Sequence, residues 1–156
     1  MSGPNFAGLM TMFDVNFRLL GWLVPPDGDV FRSRAEGSPD LFSEVLERHA
    51  YTTELRLTYC FTGPDGGVVD PDARLRIYHD AKQAEILHCR PGRSFRRLHG
   101  PWVPSPDELH RRWTLNRFLY KWLDYLLDQG HGVDTFRPVS GMPGPTEPTP
   151  ETPVRG

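Results

Sequence analysis

Apolar residues recur at helical spacing from Phe6 to Val24, at Leu9, Met12, Phe13, Leu20 and Leu23, until Pro25-Pro26 stops the pattern. The spacing predicts one amphipathic helix with Asn16 on its apolar stripe, between Phe13 and Leu20. A buried amide must find hydrogen-bond partners or cost about 1–3 kcal/mol. Asn16 is therefore expected to make a structural polar contact. Residues 27–39, rich in Gly, Asp, Ser and Arg, read as a loop. Apolar positions at 41, 42, 45 and 46 suit a short helix as well as a strand. A strand is expected there, because the next segment needs a partner and Arg48-His49-Ala50 is short enough for a hairpin.

From Tyr51 to Phe61 strict alternation sets Tyr51, Thr53, Leu55, Leu57, Tyr59 and Phe61 against Thr52, Glu54, Arg56, Thr58 and Cys60. This is the pattern of an antiparallel strand covered on one side. Gly63-Pro64-Asp65-Gly66-Gly67 reads as a loop; it shares only glycine content with phosphate-binding loops, since no Gly-Lys-Ser/Thr follows. Ala73 to Asp80 alternates again, with Leu75, Ile77 and His79 on one face and Arg74, Arg76, Tyr78 and Asp80 on the other. Gln83 to Cys89 makes a fourth strand. Residues 90–104 read as a long basic connection with a short edge strand near Phe95.

Ser105-Pro106-Asp107-Glu108 announces a second helix, with Ser105 as the expected cap, Pro at the first helical position and Glu108 placed for the reciprocal hydrogen bond. Leu109, Trp113, Tyr120, Leu123 and Leu127 mark one apolar face and Leu115, Phe118, Trp122 and Leu126 an adjoining one. So wide an arc implies burial on more than one side: either this is the central helix against the sheet, or its second face is a dimer contact. Asn116 sits within the first face, and Gly130 and Gly132 around His131 end the helix. The expected fold is α+β: an N-terminal helix, a four-stranded antiparallel β-meander and a C-terminal helix packed on the sheet. Residues 1–136 form the expected single domain, and 137–156, dominated by Pro, Thr, Glu and Gly, a disordered tail.

Composition narrows the function classes. A chain of 156 residues, 38% hydrophobic and 12% aromatic, has the material for one core. Its formal charge of −2 provides no global field for nucleic acid or anionic membrane. The local exception is Arg90, Arg93, Arg96 and Arg97 with Phe95 and His99, which reads as a solvated basic face. Cys60 and Cys89 lack CxxC spacing and secretory context and read as reduced thiols of a cytoplasmic protein. Cys60, His79, His88, Cys89, His99 and His110 are ligand types without the local spacing of common zinc sites, so no metal or cofactor is expected.

Asn16-Phe17 with Leu20 and Pro25, Glu47 with Tyr51-Thr52-Thr53, Arg76 to Ala81 with Ala84-Glu85, and Asn116-Arg117-Phe118-Leu119 with Trp122-Leu123 occur in that order. In this arrangement the chain resembles the YqiB-like bacterial family of unknown function over about residues 9–132. The resemblance favours a strand at 41–47 and implies no activity. The chain departs from the family pattern at Ala50, where an Arg is usual, and at 109–114, where a polar segment is usual.

The polar residues of these motifs, Asn16, Tyr51, Arg76, Tyr78, His79, Asp80, Glu85 and Asn116, form the candidate cluster. One account makes it structural, with Asn16, Asn116 and His79 meeting between helices and sheet. The other makes His79 a general base oriented by Asp80 or Glu85, with Arg76 holding an anion. The expected function is a non-enzymatic binding or adaptor module whose partner, a protein or a second copy, docks on the C-terminal helix. The alternative is a small enzyme or ligand-binding domain acting through His79.

Overall fold

The computed structural model describes residues 5–26, 28–63, 66–89, 92–101 and 106–143. Helix α1 spans Phe6–Leu23 and is capped by Asn5, whose side chain accepts the Gly8 N–H at 2.7 Å. Six strands follow the expected α+β plan: β1 Val30–Ser33, β2 Asp40–Arg48, β3 Thr52–Gly63, β4 Gly66–Tyr78, β5 Gln83–Cys89 and β6 Phe136–Pro138. All neighbours are antiparallel, in the order β5-β4-β3-β2-β1-β6. Helix α2 covers Arg93–His99 and α3 covers Glu108–Asp128.

Several expectations are corrected here. The sheet has six strands, not four. Strand β1 lies inside the segment read as loop, and β6 takes in Arg137 and Pro138, beyond the boundary drawn at residue 136. Each is too short to show a period, and they exist by pairing with each other and with β2. Strand β4 begins at Gly66 rather than Ala73. Pro71 argues against a strand by composition, but it sits where two residues of β4 oppose Tyr59 alone, a bulge that tolerates a missing donor. The segment near Phe95 is helix, not edge strand, because Phe95 is buried against Phe118 with ring centroids 4.8 Å apart.

Helix α3 is capped by Asp107, which accepts from the Leu109 and His110 amides, while Ser105 lies outside the described residues. The short link from β3 to β4, Pro64-Asp65, also lies outside them, as does the chain from 144 onward.

The inner face of the sheet carries Leu41, Leu55, Leu57, Tyr59, Ala73, Leu75, Ala84 and Ile86, all buried in one core with α1 and α3. The second apolar face of α3 is covered within the chain at Phe118 and Trp122. Phe118 and Trp122 are fully buried, stacked on each other at 6.0 Å, with Phe95 of α2 behind them. Helix α2, unforeseen in the sequence, supplies that cover. Gly8 lets α1 approach α3 closely: a Cβ there would lie 2.6 Å from the Trp113 ring.

Candidate functional site

The eight candidate residues separate into three places. Asn16 and Asn116 meet in the core, and His79 does not join them. Both amides are fully buried. Asn16 Nδ2 donates to the Asn116 carbonyl at 3.2 Å, while Asn116 Oδ1 accepts the Ile86 N–H at 2.9 Å and its Nδ2 donates to the Arg112 carbonyl at 2.9 Å. Strand β5 is a sheet edge, so amides turned away from β4 have no strand to meet. Asn116 satisfies one of them and fastens α3 to the sheet. Asn16 Oδ1 has no partner among the described residues.

Arg76, Tyr78 and Glu85 lie on the outer sheet face, with Arg76 of β4 directly opposite Glu85 of β5 and Tyr78 two residues on from Arg76. Glu54 accepts from both Arg76, at 2.6 Å, and Arg74, at 3.1 Å. Glu85 accepts from Tyr78 Oη at 2.5 Å and from Arg112 of α3 at 2.9 Å. Arg56 clasps Asp72 through two nitrogens, and Thr58 donates to the same carboxylate. The hydrogen bond from Arg76 holds the Glu54 carboxyl below its ordinary range against the opposing effect of burial. Burial, aided by Glu85, raises the Tyr78 hydroxyl. Glu54, Glu85 and Asp72 are thus each engaged by a cation or hydroxyl, which suits a lattice bracing β3, β4 and β5 rather than proton transfer.

His79 occupies the turn after β4 and is exposed, not a core histidine. Its N–H donates to the Tyr51 carbonyl at 2.9 Å, and its Nε2 lies 2.8 Å from Thr53 Oγ1. Asp80, in the same turn, is exposed and makes no hydrogen bond to His79, and Glu85 is on the opposite sheet face. Tyr51 is 64% exposed at the start of β3. Neither of the acids proposed to orient His79 hydrogen-bonds its ring.

His79 instead stands at the rim of a cleft of about 280 Å³ between the C-terminal half of α1 and the inner sheet face. Phe17, Leu20, Val24, Val45, Leu55 and Ile77 form its apolar walls. The polar groups are Ser43, Thr53, His79 and Arg48, whose guanidinium donates to the Gly28 carbonyl at 2.8 Å. Among the described residues, no three His, Cys, Asp or Glu side chains gather to hold a metal.

A second polar network has no signal in the sequence beyond a histidine between two glycines. His131 is 2% exposed, with Nδ1 2.6 Å from Ser33 Oγ and Nε2 3.0 Å from Ser38 Oγ. Ser38 continues to Tyr59 Oη and Ser33 to Thr135 Oγ1, each at 2.5 Å. Gly130, at φ +105°, turns the chain after α3 and delivers His131 to this position. A serine, histidine, serine row is a nucleophile and base arrangement in outline, but Ser33 and His131 are sealed, so its visible role is to tie the chain after α3 to the loop before β2.

Burial pushes the His131 imidazole below its ordinary value, and burial with the charges of Lys121 and Arg117 does the same to His99. The folded state therefore disfavours protonation that the unfolded chain accepts at its ordinary value of 6.5. The stability tied to these neutral rings is complete above that pH and is lost as pH falls below it, until the folded rings themselves titrate. Urea unfolding between pH 7.5 and 5.5 is expected to show a falling midpoint, with a slope of at most about 1.4 kcal/mol per pH unit per histidine. His131→Gln should flatten it; an unchanged slope in that variant contradicts the assignment.

No curated protein and no solved structure matches the chain. Among the described residues no helix is long and apolar enough to cross a membrane. Residues 18–132, spanning α1 from Arg18 through β1 to β5 and α3 to Gly132, match a family described as protein of unknown function, DUF1249. The chain belongs to the DUF1249 family, whose function is unknown.

Proposed function

We propose that this is a bacterial, cytoplasmic, YqiB-like member of its family that works as a non-enzymatic binding module, taking a small amphipathic molecule into the cleft beside α1. The observation that carries the reading is the composition of that cleft: continuous apolar walls with His79, Thr53 and Arg48 placed around them. Ligand sites commonly combine apolar lining with a few convergent polar groups, in volumes of about 300–1,000 Å³. At about 280 Å³ the cleft suits a short acyl chain or a single ring system. The apolar body would lie against Leu20, Val24 and Ile77, and an acidic or hydroxyl end would meet His79 and Arg48. Binding is favoured over catalysis because, among the described residues, no carboxylate hydrogen-bonds His79.

Gly21 offers the test. It lines the cleft from within α1, and a Cβ there meets nothing within 4 Å. Gly21→Ala should stabilise the fold by up to about 1 kcal/mol through helix propensity. Gly21→Phe should keep the melting temperature and occupy the cleft. Wild-type protein is expected to enhance the fluorescence of an anilinonaphthalene sulfonate, and decanoate to displace it, with at least about tenfold weaker binding in Gly21→Phe. Equal affinity in wild type and Gly21→Phe would reject the cleft as the site. His79→Ala should fold normally and weaken decanoate more than decanol; thermal collapse of that variant would instead make His79 structural.

A further inference from the structure

At the opposite end of β2 and β3 from the α1 cleft lies a pocket of about 120 Å³, bounded by Tyr59, Arg97, Trp122 and Tyr125, with Phe61 and Leu98 as apolar wall. It shares no residue with the α1 cleft. We infer that this pocket is a second binding site, for a small carboxylate with a short apolar tail.

The argument begins with Trp122. Its side chain is fully buried and lines the pocket, yet its Nε1–H has no acceptor among the described residues. Buried indole N–H groups usually find partners, since an unmade hydrogen bond costs about 1–3 kcal/mol. The other polar groups around the pocket are also donors or can serve as donors. Arg97 makes no ion pair with a described residue, and its charge acts on the Tyr59 hydroxyl. Tyr59 and Tyr125 interact through their hydroxyls, and Tyr59 is held in place from behind by Ser38 and His131.

Among the described residues no carboxylate lines the pocket; Asp40, next along the chain from Pro39, faces Arg34 at 3.6 Å. A set of one guanidinium, two phenols and an orphaned indole is matched by an oxyanion, which offers several acceptors and a charge. Two further observations agree. Lys121 is pushed below its ordinary value by burial and by the charge of Arg117, and His99 is depressed by burial and by both cations, so cations from α3 act on the α2 side that also carries Arg97. Phe61 and Leu98 give a carboxylate's alkyl tail a surface that inorganic phosphate would not use.

The test uses the full chain labelled with ¹⁵N and follows the four tryptophan indole N–H signals during titration with butyrate. Trp22→Phe and Trp113→Phe aid the assignment. The Trp122 signal is expected to move downfield and saturate with butyrate, to respond weakly to 1-butanol, and to report weaker binding of inorganic phosphate. Arg97 is exposed, so Arg97→Ala should melt at the wild-type temperature and weaken butyrate by at least about tenfold. A Trp122 signal unmoved by butyrate overturns the proposal. So does an equal response to 1-butanol, tighter binding of phosphate, or undiminished affinity in Arg97→Ala. Gly21→Phe should leave this titration unchanged, which separates failure here from failure at the α1 cleft.

Discussion

Trp122→Ala is expected to lower the stability of the fold by about 4 kcal/mol, a drop in melting temperature on the order of 10 °C, measured by thermal and urea unfolding. The indole is fully buried, stacked on Phe118 and close to Phe95 of α2. Truncation removes one of the largest side chains in the core and leaves a void that helix and sheet can close only in part. Light scattering on the same variant discriminates a second reading. If the wide apolar arc of α3 served a partner, the substitution would change association state and leave stability nearly untouched. The enclosure of Trp122 predicts the reverse.

Asn116→Leu is expected to cost about 2–3 kcal/mol, because the branched side-chain shape is kept while the Ile86 N–H loses its acceptor in a buried edge-strand position. Asn16→Leu should stay within about 1 kcal/mol of wild type: it gives up one hydrogen bond to a carbonyl and relieves a buried acceptor that has no partner among the described residues. Native-state hydrogen exchange supplies the sharper readout. In Asn116→Leu the amides of β5 should exchange faster while those of β3 stay protected. Equal costs for the two leucine variants would show that the asparagines act as one unit and that the assigned asymmetry is incorrect.

The two asparagines look alike in the sequence, each a polar residue on an apolar helical stripe. Only their partners distinguish them. Likewise, the motif Arg76 to Ala81 concentrates polar residues along a few positions, and the pleat then divides them. Arg76 and Tyr78 join the outer lattice with Glu54 and Glu85, whereas His79 leaves the strand at the turn and reaches Thr53 at the cleft rim. A catalytic reading would require those groups to converge, and the sheet itself stands between them.

Periodicity alone determined α1, the strand character of β3 and β5, the inner face of β4 and the buried asparagines, while β2 needed the short connection to β3 to be read as a strand. Each of these elements is long enough, or regular enough, for its side chains to declare which face is covered. Tertiary structure alone decided the rest. Strands β1 and β6 hold only four and three residues, too few for a period, and are defined by neighbours distant in sequence. The N-terminal part of β4 hides behind a proline that a bulge accommodates, and α2 is helical because Phe95 finds Phe118. The His131 network assembles groups from before β2, from β3 and from after α3, and no local pattern announces a contact made across about a hundred residues. Local spacing encodes which side of an element is apolar; which elements meet, and therefore where clefts and buried polar rows arise, is decided by packing.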